Sequence, residues 1–314
     1  MKKFFLSLVS GPANFPVFLR SLTLALALVV VLGAGTASAQ TFAYVVDSDN
    51  DQVLVYNAAT HALTASIPVG DGPSSAATTP NQAFVYVSNG IADTVSVIAT
   101  ATNTVVATVP AGDGPTGVAV TPNGAFVYVG NSVSGDVSVI ATATNTVVAT
   151  VTMPPFTEPG NLDVTPNGAF VYVASVAAEI SVIDTATNTA TAAGSGITAF
   201  SLAITPDGAF VYATEAAGTT VRVISTASNT VVATIPFPDG PLGVAITPNG
   251  ASAYVTSFTG VSVIDTATNT VSATVPLGDL GTTVSITPDG AFAWVSLGTT
   301  STVAVVATAT NTVA

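Results

Sequence analysis

Three observations predict an all-β, seven-bladed propeller of four-stranded antiparallel blades. A turn tetrapeptide, TPNQ, TPNG or TPDG, starts at Thr79, Thr121, Thr165, Thr205, Thr247 and Thr287, at spacings of 42, 44, 40, 42 and 40 residues. Short alternating runs rich in β-branched residues fill the intervals. No segment after residue 40 shows a helical apolar period. Four short strands in about 40 residues, repeated along the chain, make one propeller blade per period. The rival architecture, a stack of parallel solenoid coils, fits poorly because four reversals per repeat make hairpins.

Each element has a local reason. In the TPNG-type turns, Pro fixes φ and Gly accepts a positive φ, which gives a tight reversal between strands. The next run, such as AFVYV (125–129), alternates as a half-buried strand does. A polar loop follows, then a third run such as DVSVI (136–140), then a TATN-type turn. Asn103, Asn145, Asn188, Asn229, Asn269 and Asn311 hold one position of that turn, where Asn tolerates the left-handed region. An outer run such as TVVATV (146–151) and an inner run such as GVAVT (117–121) complete the repeat.

Tyr44, Tyr86, Tyr128, Tyr172, Tyr212 and Tyr254 share a slot, and Trp294 fills it in the seventh copy. A Phe lies two residues earlier in each repeat except at Ser252. Residues i and i+2 share a sheet face, so an aromatic pair is expected to pack each blade on its neighbour. His61, the one histidine, aligns with the Asn of the TATN turn and is expected to be a solvent-exposed turn residue.

Residues 1–39 read as a secretory signal. Lys2, Lys3 and Arg20 precede the uncharged run LTLALALVVVL (22–32), and small residues at Ala37 and Ala39 set cleavage before Gln40. The apolar run is short of the roughly 20 residues a membrane-spanning helix needs. With no Cys in the chain there is no lipid anchor on cysteine and no disulfide; the 49% apolar content must hold the fold by packing. The propeller is expected over 40–314, exported to the periplasm, the cell surface or the medium, with no membrane insertion after cleavage.

Counting strands shows where the ring meets itself. There are seven second strands, the first being FAYVV (42–46), but cleavage before Gln40 leaves six inner strands. The first blade is therefore expected to lack its inner strand, and the last repeat reads as incomplete. Aligning Asn311 with Asn103 places the missing run just past residue 314, so the sequence predicts either a longer reading frame or a ring closed with one three-stranded blade.

Charge narrows the function. After cleavage Arg222 is the one Lys or Arg against 17 acids, a net charge of −16. Phosphate backbones and anionic lipid surfaces find no basic footprint here, so nucleic acid is not an expected partner. Because strands alternate direction, second-to-third and outer-to-inner loops emerge on one face of the disc, and the TPNG and TATN turns on the other. That parity puts 12 acids on the loop face and 4 on the turn face, with Asp163 in an inner strand. Asp184 and Asp265, each just before Thr-Ala-Thr-Asn, are expected to bond to their turn backbone.

The densest acidic stretch is DSDNDQ (47–52), where Asp47, Asp49 and Asp51 alternate as in the first half of a calcium loop. Gln52 stands where that loop needs Gly, and Ala58 where it needs Glu, so the three make a weak calcium candidate. No other cofactor is expected. Nucleophilic catalysis has no Cys, no Lys after residue 40 and no second His to activate a Ser, so no catalytic residue is assigned. The carboxylates do not single out a pair spaced for glycoside hydrolysis.

The run YVTSFTGVSVIDTATNTVSATVPLG (254–278), with the variants YVVD (44–47), YVSN (86–89), YVGN (128–131) and YVTS (254–257), resembles the β-propeller repeat family named for its Tyr-Val-Thr-Asn motif. The resemblance spans 42–314 and implies a propeller similar to surface-layer proteins, lactonase-like seven-bladed propellers and the haem-binding propeller of a nitrite reductase. It carries over no functional residue. The expected role is a non-catalytic binding or scaffolding module, monomeric, with an unidentified protein or cell-envelope component meeting the acidic loop face. TEPG (157–160), GSGITAF (194–200) and DSDNDQ are the least repeat-like loops and the first places to search. The alternatives are a lactonase-like or glycosidase-like enzyme and a structural surface-layer-like component.

Overall fold

The computed structural model describes residues 28–32, 41–216, 218–237 and 239–314. Seven antiparallel sheets follow one another along the chain. Blade 3 shows the pattern: inner strand Pro115–Val120, second strand Phe126–Asn131, third strand Asp136–Ala141 and outer strand Thr146–Thr152. Blade 7 ends the series with Gly281–Ile286, Phe292–Leu297, Thr302–Ala307 and the two-residue outer strand Thr312–Val313. Among the described residues no helix occurs, as the strand periodicity required.

Residues after 40 give the first blade three strands, Thr41–Asp47, Gln52–Asn57 and Leu63–Pro68, as the strand count required. Its inner position is taken by Leu28–Leu32, which pairs antiparallel with Thr41–Val45. That strand comes from the apolar run read as the core of an export signal; the rest of residues 1–39 lies outside the described residues. A β-branched, apolar stretch suits both roles, since Val favours a strand and a signal core wants an apolar run.

Seven apolar clusters hold the ring, one at each junction between neighbouring blades. The junction of blades 7 and 1 is filled by Ala43, Val45, Ala58, Trp294 and Val305, so the ring is closed by side-chain packing. The six tyrosines and Trp294 of the repeat slot are each at most 1% exposed. The preceding phenylalanines are less enclosed. Phe126, Phe170 and Phe210 stay 38–40% exposed, whereas Phe42, Phe84 and Phe292 pack partly buried against their junction clusters. The expected aromatic pair is thus one buried ring and one at the rim.

The Tyr slot and the Asn turn, two separate regularities in the sequence, are partners in space. Tyr44 Oη donates to Asn103 Oδ1 at 2.6 Å, from blade 1 into the turn of blade 2. Tyr86 to Asn145 (2.6 Å), Tyr128 to Asn188 (2.9 Å), Tyr172 to Asn229 (2.7 Å), Tyr212 to Asn269 (2.6 Å) and Tyr254 to Asn311 (2.6 Å) repeat the bond around the ring. Burial pushes the Tyr44 and Tyr212 phenols up to about 12, which keeps them protonated donors. All six asparagines take φ between +52° and +55°, the left-handed conformation expected of them.

The seventh junction departs from the rule at both positions. His61 takes the Asn place with φ +57°, and Trp294 takes the Tyr place. His61 is half-buried rather than the solvent-exposed turn residue expected, because its ring stands edge-on to both Phe292 (5.7 Å) and Trp294 (5.6 Å).

The TPNG turns behave as read. In the turn of blade 3, Thr121 Oγ1 donates to Asn123 Oδ1 (2.7 Å), and Phe126 N–H donates back to Thr121 Oγ1 (3.0 Å). Gly124 has φ +69°, and a Cβ there would press against Pro80 of the preceding blade's turn, 3.3 Å away. The same residue serves the backbone and the close approach of neighbouring turns.

Candidate functional site

Loop pairing on the acidic face follows from backbone bonds. Gly72 N–H donates to Asp51 Oδ1 (2.8 Å), and Gly114 N–H donates to Asp93 Oδ1 at the equivalent place (2.9 Å). Ile91 N–H and Val133 N–H bond to the carbonyls of Asp71 and Asp113, each at 3.1 Å. Second-to-third loops and outer-to-inner loops therefore meet on one face, as strand parity demanded.

Most acids of this face cap loops. Asp279 accepts from Leu280 N–H, Thr299 N–H, Thr300 N–H and Thr300 Oγ1. Partial burial acts to raise its pKa, but these bonds outweigh it and hold the carboxyl down at about 2. Glu215 accepts from Thr220 Oγ1 and pairs with Arg222 at 3.2 Å, so the single cation after residue 40 is already neutralised. On the turn face, Asp184 accepts from Ala186 and Thr187 N–H, and Asp265 from Thr268 N–H, the local bonds expected of them.

The three carboxylates of the calcium candidate turn to separate partners. Asp47 accepts from Asn50 Nδ2 (2.9 Å) and Gln52 Nε2 (2.8 Å), and Asp51 from Gly72. Asp49 is exposed. Among the described residues no group of three or more His, Cys, Asp or Glu is arranged to hold a metal ion.

One concavity lies on the ring axis. A cavity of about 430 Å³ is lined by inner-strand segments of blades 2 to 7, among them Ser74, Thr116, Asn161, Phe200, Leu242 and Thr282. These residues lie at the start of each inner strand, next to the outer-to-inner loops, so the cavity occupies the half of the axis nearer the acidic face. Its volume falls in the range of small-molecule sites. No lining residue is ionisable.

Polar groups around this cavity stitch blades together. Ser74 Oγ donates to Thr116 O (3.0 Å), Thr116 Oγ1 to Pro159 O (2.7 Å), and Leu202 N–H to Asn161 Oδ1 (2.9 Å). Deeper along the same strand as Asn161, Asp163 accepts from Val164 N–H and Ile204 N–H, both at 2.8 Å. Burial pushes its carboxyl up to about 6, against the pull of those two bonds. Other blades carry Ala77, Ala119, Ala203, Ala245 or Ser285 there. Sequence reading located Asp163 on an inner strand but missed the cavity; its signal was the bulky Phe200 and Leu242 where other repeats have Ser, Thr or Gly.

Comparison with known proteins decides the family. The model of the family described as lactonase, 7-bladed beta-propeller matches residues 34–188 and 100–234, together more than half of the chain. The chain belongs to the lactonase family of seven-bladed β-propellers. Among solved structures, Kuenenia stuttgartiensis hydrazine synthase superposes with a TM-score of 0.75 at 21% identity, over 89% of this chain and 95% of that one. A functionally unknown protein from Desulfotomaculum acetoxidans DSM 771 gives 0.76 at 18% identity, over 87% and 94%. Dihydro-heme d1 dehydrogenase NirN in complex with DHE gives 0.66 at 18%, over 93% of this chain and 63% of that one. At these identities the likeness concerns the fold alone. A search of curated proteins found no match.

Proposed function

We propose that this lactonase-family propeller is an exported, non-catalytic binding module, acting as a monomer, whose ligand or envelope partner approaches from the acidic loop face. The observation that carries the reading is the axial cavity: it lies toward that face, it has ligand-sized volume, and its lining offers no acid, base or thiol nucleophile. A rigid ring with variable loops on one face and uniform turns on the other suits recognition. Placing a photo-crosslinking residue at Val133 on the loop face, and separately at Ala143 on the turn face, tests the geometry in the producing cell. Adducts from Val133 alone support the reading, whereas adducts from Ala143 alone overturn it. Turnover of lactone or glycoside substrates by the purified protein would overturn the non-catalytic part.

One observation favours a hydrolase as the second reading. Asp163 is a carboxyl whose pKa near 6 suits a general base, on an axial strand of a chain in the lactonase family. Both its oxygens already accept backbone bonds, which favours a structural role. Lactone hydrolysis abolished by Asp163→Asn in a folded variant would establish the enzyme instead.

A further inference from the structure

We infer that the axial cavity takes a small organic cation with an apolar body, such as an alkyl- or arylammonium. The inference rests on the binding-module reading and names its ligand class. The cavity has an acidic mouth and, on one side, a bulky apolar wall. Asp71, Asp113 and Glu158 stand two or three residues before the first lining residue of blades 2, 3 and 4, and Asp239 and Asp279 stand at the same spacing before those of blades 6 and 7, where they accept hydrogen bonds from Thr259 and Thr300. Asp71, Asp113 and Glu158 are exposed, and among the described residues their carboxylates have no hydrogen-bond partner. Blades 5 and 6 add the bulky Phe200 and Leu242 to the lining. The mouth offers negative charge with three carboxylates free of partners, and one wall below it offers apolar side chains with an aromatic ring.

Competing ligand classes fare worse on the same observations. An anion would find no free cation among the described residues, since Arg222 is paired to Glu215. A neutral polyol needs several hydroxyl and amide partners, and the hydroxyls of Ser74 and Thr116 and the amide oxygen of Asn161 already serve bonds between blades. An amphiphilic cation needs neither. Its charge is drawn by the acidic loops. Its apolar body removes surface of Phe200 and Leu242 from water while its ammonium stays toward the acidic mouth.

Calorimetry with octyltrimethylammonium, octanol and octanoate, at low and at high salt, tests the assignment. The cation is expected to bind one per chain, octanoate about tenfold more weakly or less, and added salt should weaken the cation selectively. Replacing Asp71→Asn, Asp113→Asn and Glu158→Gln together should cost the cation about tenfold and leave octanol unchanged. Phe200→Ser should weaken both, with circular dichroism checking the fold. Equal affinity for all three probes overturns the cationic class while leaving a binding module in place. No binding of the cation, or an unchanged affinity in the folded triple variant, overturns the inference outright.

Discussion

His61 and Trp294 stand edge to face across the junction of blades 1 and 7, with ring centroids 5.6 Å apart and planes at 87°. Trp294 Nε1 and His61 Nε2 are both buried without a hydrogen-bond partner among the described residues. The contact replaces a phenol–amide bond with ring packing, of the kind worth about 0.5–1.5 kcal/mol beyond area burial. Trp294→Ala should cost about 3–5 kcal/mol, because it opens a large cavity in an enclosed cluster. The double variant His61→Asn with Trp294→Tyr should regain the bond used at the other six junctions and exceed the sum of its singles by about 1 kcal/mol. Urea unfolding of the four proteins reads the coupling; strict additivity would show that the two positions act independently.

The Tyr–Asn bond makes a graded prediction at Asn188. Tyr128→Phe removes only the hydroxyl and should cost about 1 kcal/mol. Asn188→Ala loses the acceptor and also forces a side chain with no compensating bond into φ +52°, so about 2–3 kcal/mol is expected. Asn188→Gly relieves the backbone part and should fall nearer to Tyr128→Phe. If Ala and Gly cost the same, the left-handed turn imposes no strain on this residue.

Asp163 predicts an unusual pH response. Its native pKa near 6 lies above the value near 4 of an unfolded aspartate, so the native state holds the proton over that interval. Stability from this group is fully present below about pH 4 and is lost as pH rises through 6, at up to about 1.4 kcal/mol per pH unit. Asp163→Asn should therefore gain on the wild type between pH 4 and 6 and keep a constant difference above that. Melting curves across the range check it; a difference independent of pH means the carboxyl is ionised in both states.

Removing residues 1–40 should lower Tm by several degrees. The truncated chain leaves the inner edge of Thr41–Asp47 unpaired where Leu28–Leu32 now lies. Comparing the full chain with 41–314 in a thermal scan reads the effect. Equal Tm values would mean that this strand adds nothing to the ring.

Fold was legible because each rule repeats: six TPNG-type turns, six Asn turns and seven aromatic slots restate one blade, and any single misreading is outvoted. The site was far less legible. A cavity on the axis arises from where six strands converge, and residues such as Phe200 and Leu242 look ordinary until the ring brings them together. The acids misled in the opposite direction. Asp51, Asp93 and Asp279 look like a reactive face in the sequence, but their oxygens are occupied by N–H groups of adjoining loops that lie some twenty residues away. Pairing of Tyr128 with Asn188 was invisible for a similar reason, since it needs the relative placement of two blades. His61 was read alone, and its partner lies at the other end of the chain.

Every phenol in the ladder reaches forward to the following blade, so the repeats are interchangeable couplings that could be joined in any order or number. Blade 7 alone presents an indole and blade 1 alone receives it with an imidazole. That mismatched pair sets the closing seam apart from the six internal ones: a wedge ending in the indole meets its matching imidazole at the first wedge and at no other.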